Sequence, residues 1–293
     1  MTRIEQFGWR GAVEPGIGRI VSAHGDYYHL VCNEQPTGEI LARKKKSAFT
    51  RMKTVAPENM KGKKISEERA ELPPQPITGD FVRFRYNAQG ESMITEVLPR
   101  LSHFERKDPT AKRTSQTLAV NFDTLFIMMS LNENFSTARI RRYLDLAADM
   151  GEAEAVVVVT KVDLRQDGDD EFFGELRGEV GDDARILEVS SLTGEGMDAV
   201  MDYVKPGRTL AFIGSSGVGK STLLNTLMGE EWQATQEIQE WSGKGRHTTT
   251  SRELVMLSSG AMVIDTPGIR EIGMLGEQDD LQAKGESTHR YRK

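Results

Sequence analysis

The sequence predicts an α/β protein with two folded parts, a small all-β barrel followed by a doubly wound parallel sheet. Its length of 293 residues exceeds the usual size of one domain. Short segments rich in β-branched and aromatic residues, separated by turns, fill residues 1–100, which is typical of a small barrel or sandwich. Beyond residue 117, apolar strand-like runs alternate with helical patterns, which is typical of parallel sheets covered by helices.

The predicted barrel strands lie on both sides of a long loop. Residues 16–31 contain apolar and aromatic side chains on both sides of the turn Gly25-Asp26. In residues 81–86 apolar side chains alternate with basic ones, and residues 92–97 form a further segment after a turn. Weaker strand-like segments lie at 36–41 and 47–55, and the charged, Pro-rich stretch 57–78 is predicted to be a loop.

The second part starts after a polar, basic connector at residues 98–117. Near-continuous apolar runs predict buried parallel strands, and a 3.6-residue period predicts helices between them. The predicted strands are 123–130, 155–159, 185–189, 210–213, 253–257 and 261–264, and the predicted helices are 137–150, 171–180, 197–203 and 220–228. We expect a barrel domain at 1–108, an α/β domain at 109–275 and a short tail at 276–293.

Charge is distributed unevenly between the two parts. Apolar residues make up 38% and charged residues 28%, which favours a folded core over disorder. The net charge is −6, but residues 1–113 contain 20 Lys and Arg against 14 Asp and Glu. The first part can therefore approach a polyanion. The candidate RNA-binding residues are Arg43, Lys44, Lys45, Lys46, Arg83 and Arg85, with a solvated surface as the alternative.

Cysteine content and hydropathy exclude several other classes. The single cysteine, Cys32, rules out an intrachain disulfide and a Cys-based zinc site. The first residues show no signal-peptide pattern, and the apolar runs are too short to span a bilayer. We expect a cytoplasmic, monomeric protein without a membrane partner.

The strongest motif is a P-loop. Residues 214–221 read GSSGVGKS between an apolar strand and a helix, the context that confirms G-x4-G-K-[ST]. Backbone N–H groups of such a loop surround phosphate oxygens, and the helix N-terminus favours their charge. Lys220 can reach the β- and γ-phosphates, and the Ser221 hydroxyl can ligate Mg²⁺. The predicted nucleotide-binding residues are Gly214, Ser215, Ser216, Gly217, Val218, Gly219, Lys220, Ser221 and Thr222.

Two further segments indicate guanine as the base. Residues 160–163, TKVD, follow a predicted strand and match the [NT]-K-x-D element of GTPases. The Asp163 carboxylate can accept both hydrogens of the guanine N1 and N2 edge, a donor pair that adenine lacks. Residues 190–194, SSLTG, follow the next strand and resemble the loop that contacts guanine O6, although the pattern is also ordinary turn chemistry. The predicted base-binding residues are Thr160, Lys161, Val162, Asp163, Ser190, Ser191 and Leu192.

The remaining motifs concern the metal ion and the γ-phosphate. Residues 265–268, DTPG, end a predicted strand; Asp265 would hold Mg²⁺ through water, and the Gly268 amide could contact the γ-phosphate. A simple β-turn is the alternative. The loop at 243–250, GKGRHTTT, is polar and Gly-rich, as expected of a segment ordered by nucleotide. Either Thr249 or Thr250 should complete the Mg²⁺ shell, and spacing does not choose between them.

His247 is the candidate catalytic residue. The position after DTPG is Ile269, whose apolar side chain cannot orient a water by hydrogen bonding. His247, in the neighbouring polar loop, is the best candidate in this chain for that role. A plain surface histidine is the alternative. Two alternatives to a GTP hydrolase stay open. If GTP turnover is low, the chain is a GTP-binding, RNA-associated switch; if the site does not prefer guanine, it is a P-loop ATPase or kinase.

The order of the motifs is rotated relative to ordinary GTPases, which begin with the P-loop. Circular permutation can move chain ends while keeping the sheet. With GDFVRF, VLPRLSHFERKDP, AVNFDTLFIM, GSSGVGKSTLLN, GRHTTT and DTPGIREIG in this order, residues 15–275 resemble the RsgA (YjeQ/YloQ) family of ribosome-associated GTPases.

The resemblance implies a circularly permuted P-loop GTPase domain preceded by an OB-fold barrel that binds ribosomal RNA. It also implies Mg²⁺, GTP and GDP as ligands, stimulation by the small ribosomal subunit, a function in its late maturation, and a role for His247 in hydrolysis. The family continues into a helical zinc module with Cys and His ligands, for which residues 276–293 offer no ligand set. Truncation and loss of that module are the two interpretations.

Overall fold

The computed structural model describes residues 1–49, 73–107, 115–131, 136–181, 184–229 and 253–265. Thirteen strands and five helices lie in these ranges. The strands are β1 Ile17–His24, β2 Tyr27–Cys32, β3 Ile40–Lys44, β4 Phe81–Arg85, β5 Ser92–Val97, β6 His103–Lys107, β7 Ser115–Val120, β8 Thr124–Ser130, β9 Glu154–Thr160, β10 Arg185–Val189, β11 Thr209–Ile213, β12 Glu253–Met256 and β13 Met262–Asp265. The helices are α1 Arg3–Gln6, α2 Thr137–Ala147, α3 Asp169–Val180, α4 Met197–Met201 and α5 Lys220–Met228. None of the helices in these ranges is long and apolar enough to cross a membrane.

The first five strands form a closed barrel. Their order is β1-β2-β3-β5-β4, and β4 pairs back with β1. Only the β3–β5 pairing in this barrel is parallel. Alternate residues such as Ile20, Leu30, Val82 and Ile94 fill its interior and are fully buried. This is the five-stranded OB-fold barrel, and the prediction of a small barrel is confirmed.

The second part is a parallel sheet with helices on both faces. Its strand order is β10-β9-β8-β11-β13-β12, in which only β12 runs antiparallel. All seven residues of β8 are buried, as expected for a central parallel strand. Helices α2 and α3 pack in the core cluster on one face, and α4 and α5 pack in the cluster on the other. The predicted doubly wound architecture is confirmed.

The basic connector differs from its prediction, because it contains a hairpin. Strands β6 and β7 pair antiparallel, and Phe104 and Leu118 are buried in the core cluster that contains α2. Polar side chains between these apolar residues give the segment a surface-like composition, which hides the alternation. The expected boundary after residue 108 lies in the connection between these two strands and stays a prediction. The expected segment 47–55 begins with a 3-10 turn, and residues 50–72 lie outside the described ranges.

Barrel and sheet are continuous through one edge. Strand β1 pairs with β12 at Ser22 and Glu253, so that the eleven strands form one hydrogen-bonded sheet. At this junction β1 contributes to two cores. Ile20 points into the barrel, whereas Val21 packs with Leu254 in the core of the parallel sheet.

A buried arginine joins the same two parts. Arg19 on β1 is 1% exposed, and its guanidinium donates to the carbonyl oxygens of Phe7 (2.6 Å) and Asn121 (2.7 Å) and to the hydroxyl of Thr209 (2.9 Å). It also lies over the Phe81 ring, 4.8 Å from the centroid. Burial lowers the pKa of Arg19 to about 10, so the side chain stays charged at neutral pH. A buried cation is tolerated here because each of these acceptors faces a guanidinium N–H.

Candidate guanine nucleotide site

The loops that carry the sequence motifs meet at one edge of the parallel sheet. Each neighbouring pair in the order β10-β9-β8-β11-β13 is parallel, so the carboxyl ends of these five strands lie at the same edge of the sheet. Residues 160–163 follow β9, residues 190–194 follow β10 and the P-loop follows β11. Ligands of open α/β sheets bind at this edge.

The P-loop is tightly fitted between β11 and α5. Gly214 has a φ of 153°, and a Cβ there would lie 2.5 Å from the carbonyl oxygen of Met128 on β8. Lys220 folds back over the loop and donates to the carbonyl oxygens of Gly214 and Ser215. The Val218 side chain is buried in the core cluster beside the sheet and so fixes the middle of the loop. The loop therefore has a fixed shape, with the N-terminus of the nine-residue helix α5 at its end.

The predicted base-binding loop at residues 160–163 is hydrogen-bonded to the P-loop. The Thr160 hydroxyl donates to the carbonyl oxygen of Val218 at 2.6 Å, and Lys161 Nζ donates to that of Gly217 at 2.9 Å. Lys161 adopts a left-handed backbone conformation with φ of 61°, which turns the chain sharply after β9. These contacts bring the segment that carries Asp163 against the segment that carries Lys220, although β8 separates their strands.

Asp163 is held by the next loop. The buried Ser190 hydroxyl donates to its Oδ1 atom and accepts from the backbone N–H groups of Leu192 (3.3 Å) and Thr193 (3.2 Å). One carboxylate oxygen is thus fixed by the loop after β10, and the residue remains exposed to a ligand. The adjacent Leu192 is 84% exposed, an unusual environment for a leucine, and so offers an apolar surface beside the carboxylate.

The predicted magnesium ligands are only partly described. Ser221 lies exposed in the first turn of α5, next to Lys220, and β13 brings the backbone of Asp265 beside β11. Hydroxyl and carboxylate oxygens are ligands that Mg²⁺ prefers. His247, Thr249, Thr250 and Gly268 lie outside the described residues. Within the described ranges, no group of three or more His, Cys, Asp or Glu side chains could hold a metal ion.

The candidate RNA-binding residues lie on the barrel. Register places Arg85, Met93, Arg43 and Tyr27 in one row across strands β4, β5, β3 and β2. Met93 is 44% and Tyr27 38% exposed, and the Arg43 guanidinium lies 4.2 Å from the Tyr27 ring centroid. The row is therefore an outward face on which cations alternate with apolar side chains.

The other basic candidates flank this row. Lys44 donates to Gln75 at 3.0 Å, and Arg83 lies 3.4 Å from Glu14. Lys45 and Lys46 follow β3, where Lys46 begins the 3-10 turn. Sequence reasoning missed Tyr27 and Met93, because only strand register shows that they lie beside the arginines. A further basic stretch, KGKK at residues 61–64, lies outside the described residues.

The fold and the site together define a class of protein. A P-loop after β11 and predicted base-binding loops after β9 and β10 are the arrangement of a P-loop GTPase. Because the predicted base-binding loops precede the P-loop in the chain, the GTPase fold is circularly permuted. An OB-fold barrel precedes it.

Comparison with known proteins gives the family. The model of the RsgA GTPase family matches residues 97–275, and the chain belongs to that family. Small ribosomal subunit biogenesis GTPase RsgA 2 of Lactiplantibacillus plantarum is 38% identical over 258 residues, which cover 87% of this chain and 66% of that protein. Small ribosomal subunit biogenesis GTPase RsgA of Leptospira interrogans is 35% identical over 268 residues, which cover 90% and 67%. The chain thus spans about two thirds of the length of these relatives.

Solved structures show the same fold. YjeQ from Thermotoga maritima superimposes with a TM-score of 0.59 at 25% identity, covering 87% of this chain and 76% of that one. YloQ, described as a circularly permuted GTPase, superimposes with a TM-score of 0.52 at 22% identity, covering 88% and 74%. The resemblance inferred from the motifs is confirmed.

Proposed function

We propose that this protein binds GTP with Mg²⁺, hydrolyses it to GDP and phosphate, and uses the nucleotide state to control its binding to the small ribosomal subunit during late maturation. The observation that carries the proposal is the contact of Thr160 and Lys161 with the P-loop. It supports a single site in which Asp163 contacts the base and Lys220 the phosphates of one nucleotide.

Base selection follows from the hydrogen bonds of Asp163. Ser190 donates to Oδ1, so the carboxylate keeps lone pairs on both oxygens for further donors. Guanine supplies two N–H donors on one edge, which match a carboxylate, whereas adenine would leave this acceptor without a partner. Lys161, fixed by Gly217, covers the base with its aliphatic stem.

Phosphate binding uses the backbone of residues 214–219, the N-terminus of α5 and Lys220. In the described conformation, Lys220 donates to two P-loop carbonyls, and it exchanges these for phosphate oxygens when nucleotide binds. Ser221 and Asp265, with Thr249 or Thr250, are the proposed ligands of Mg²⁺, which neutralises charge on the β- and γ-phosphates when bound. The Gly268 amide contacts the γ-phosphate, and His247 orients the attacking water.

The barrel supplies the proposed contact with ribosomal RNA. Relatives are named small ribosomal subunit biogenesis GTPases, and the exposed row of Arg85, Met93, Arg43 and Tyr27 has the charge and aromatic character that suit RNA. Strand β12 follows the polar loop at 243–250 and pairs with barrel strand β1. A change in that loop can therefore be transmitted to the barrel through a shared strand edge. The proposal takes the chain to act in the cytoplasm, as a monomer, with domains 1–108 and 109–275.

The test is GTP turnover with and without purified small ribosomal subunits, together with the affinities for GTP, ATP and XTP. We expect stimulation by the subunit and preference for GTP over ATP. Asp163→Asn should weaken GTP binding by at least about tenfold and favour XTP, because an amide can donate to the xanthine O2 atom. Asp167→Asn, the same change in an exposed residue four positions on, is the control and should change neither the affinity for GTP nor that for XTP.

Two outcomes would contradict the proposal. Preference for ATP would indicate a P-loop ATPase or kinase, and turnover that the subunit leaves unchanged would indicate a GTP-holding switch. Subunit binding should also weaken steeply with salt, because phosphate contacts release counterions. Binding that is insensitive to salt would contradict the RNA-binding role of the barrel.

A further inference from the structure

A cavity lies between the N-terminal segment and the barrel, and none of its lining residues belongs to the nucleotide loops. Its volume is about 430 Å³, within the range of small-molecule sites. Its apolar part is lined by Trp9, Ile17, Phe81 and Leu98, and its polar part by Arg10, Arg83 and Glu14. The motifs GDFVRF and VLPRLSHFERKDP supply Phe81, Arg83, Leu98 and Leu101 to its lining, but the sequence alone does not show that they meet Trp9.

The aromatic wall of the cavity is held in place. The Trp9 ring lies against Phe81, with ring centroids 5.0 Å apart and planes at 57°, and its indole N–H donates to the carbonyl oxygen of Ala12 at 2.9 Å. Ile17, Phe81 and Leu98 are buried and form a small core with Ile4 beneath it. An aromatic surface is therefore presented on a fixed support, which lowers the entropy cost of binding a ligand to it.

The cavity is continuous with the basic row on the barrel. Arg83, which lines the cavity, lies two residues from Arg85 on the same face of β4, and Arg85 begins the row. Arg83 forms exposed ion pairs with Glu14 (3.4 Å) and Glu96 (3.7 Å). Exposed pairs of this kind contribute little, so Arg83 can exchange them for a phosphate. Arg10, by contrast, is held by Asp123.

We propose that this cavity binds one unstacked base of a single-stranded RNA whose backbone follows Arg83 and Arg85. The proposal rests on the RNA-binding function proposed above and names a site for it. Bases stack on aromatic side chains regardless of sequence, and a base leaves its neighbours at a lower cost in a single strand than in a duplex, where its pairing must also be broken. The excess of Lys and Arg in residues 1–113 favours a polyanion over a basic or neutral partner.

The test compares the affinities for a single-stranded and a double-stranded RNA oligonucleotide of equal length, by fluorescence anisotropy. Trp9→Ala should weaken single-strand binding about tenfold and leave duplex binding unchanged, because only stacking is lost. Since Trp9 also packs on the barrel, a second variant leaves it in place. Leu101→Glu adds a negative charge at a cavity-lining residue that is 40% exposed, and Leu146→Glu, on α2 and 36% exposed, is its matched control.

The outcomes separate this proposal from the wider function. A loss with Trp9→Ala and Leu101→Glu, confined to the single strand and absent with Leu146→Glu, supports the cavity as a base site. If Trp9→Ala and Leu101→Glu leave the ratio of single-strand to duplex affinity unchanged, the cavity is not a base site. The RNA-binding function itself stands in that case, provided that the parent protein binds both RNAs. No binding of either RNA overturns both. Loss of small-subunit binding with unchanged single-strand affinity also overturns it, because the occupant is then a protein segment.

Discussion

Replacement of Arg19 by methionine tests how the barrel and the parallel sheet are joined. Methionine keeps an unbranched apolar stem but has no N–H donor. The carbonyl oxygens of Phe7 and Asn121 and the hydroxyl of Thr209 would lose a charged donor inside the protein. These acceptors belong to the N-terminal segment, the turn before β8 and strand β11, so the substitution affects the junction and not one local element.

The expected cost follows from the number and burial of these bonds. An acceptor left unsatisfied in the interior costs about 1–3 kcal/mol. Of the five acceptors of Arg19, the Gly79 carbonyl keeps a bond from the Asn121 amide and the Met262 sulfur is a weak acceptor, so three are counted. Removing a buried charge also removes its desolvation cost, which offsets part of the loss. We therefore expect a net destabilisation of about 3 kcal/mol, which lowers the Tm of a protein of this size by about 6–12 °C.

The assay is urea and thermal unfolding of the nucleotide-free protein, followed by circular dichroism. Arg85→Met is the matched control, because it makes the same change on an exposed position of β4 and should cost less than about 0.5 kcal/mol. Equal effects of the two substitutions, or a loss below about 1 kcal/mol for Arg19→Met, would refute the reasoning that these hydrogen bonds stabilise the junction.

Three further predictions concern the nucleotide site and the pH dependence of stability. Thr160→Val removes the hydroxyl that bonds the P-loop and should weaken GTP binding about tenfold in calorimetry; unchanged affinity would show that this bond does not shape the site. Gly214→Ala places a Cβ 2.5 Å from a backbone oxygen and should lower the Tm more than Gly217→Ala, where the added Cβ meets nothing within 4 Å; the reverse order would contradict the fitted loop. Burial raises the pKa of the Asp80 carboxyl above its ordinary 3.8. The folded state therefore favours the protonated carboxyl, and the stability that this protonation contributes is lost as the pH rises through the raised pKa. The unfolding free energy of the parent minus that of Asp80→Asn should therefore fall as the pH rises from the ordinary 3.8 through the raised pKa of Asp80, and a rise would contradict the shift.

Local pattern was enough to predict most elements of the parallel sheet. Strands β8 and β9 are continuous apolar runs, and a central parallel strand needs that composition because both of its faces are covered. The P-loop and the TKVD segment were recognisable because phosphate and guanine recognition each require particular residues at fixed spacing. Their chain order alone indicated a circular permutation, which the strand order agrees with.

Contacts between distant segments could not be predicted in this way. The sequence predicts a polar connector in place of the hairpin β6–β7, because burial of Phe104 and Leu118 depends on helix α2, which follows later in the chain. No local pattern distinguishes Arg19 from surface arginines, since its environment is made by residues up to 243 positions away.

The sequence by itself determined the chemistry of the nucleotide loops and the class of fold, because both depend on residue type at short spacing. Only the tertiary structure decided which segments meet: Thr160 and Lys161 against the P-loop, Ser190 against Asp163, Arg19 at the junction and Trp9 beside a cavity. The physical reason is that hydrogen bonds and burial act over a few ångströms in space. Chain folding sets those distances, and no local pattern encodes them.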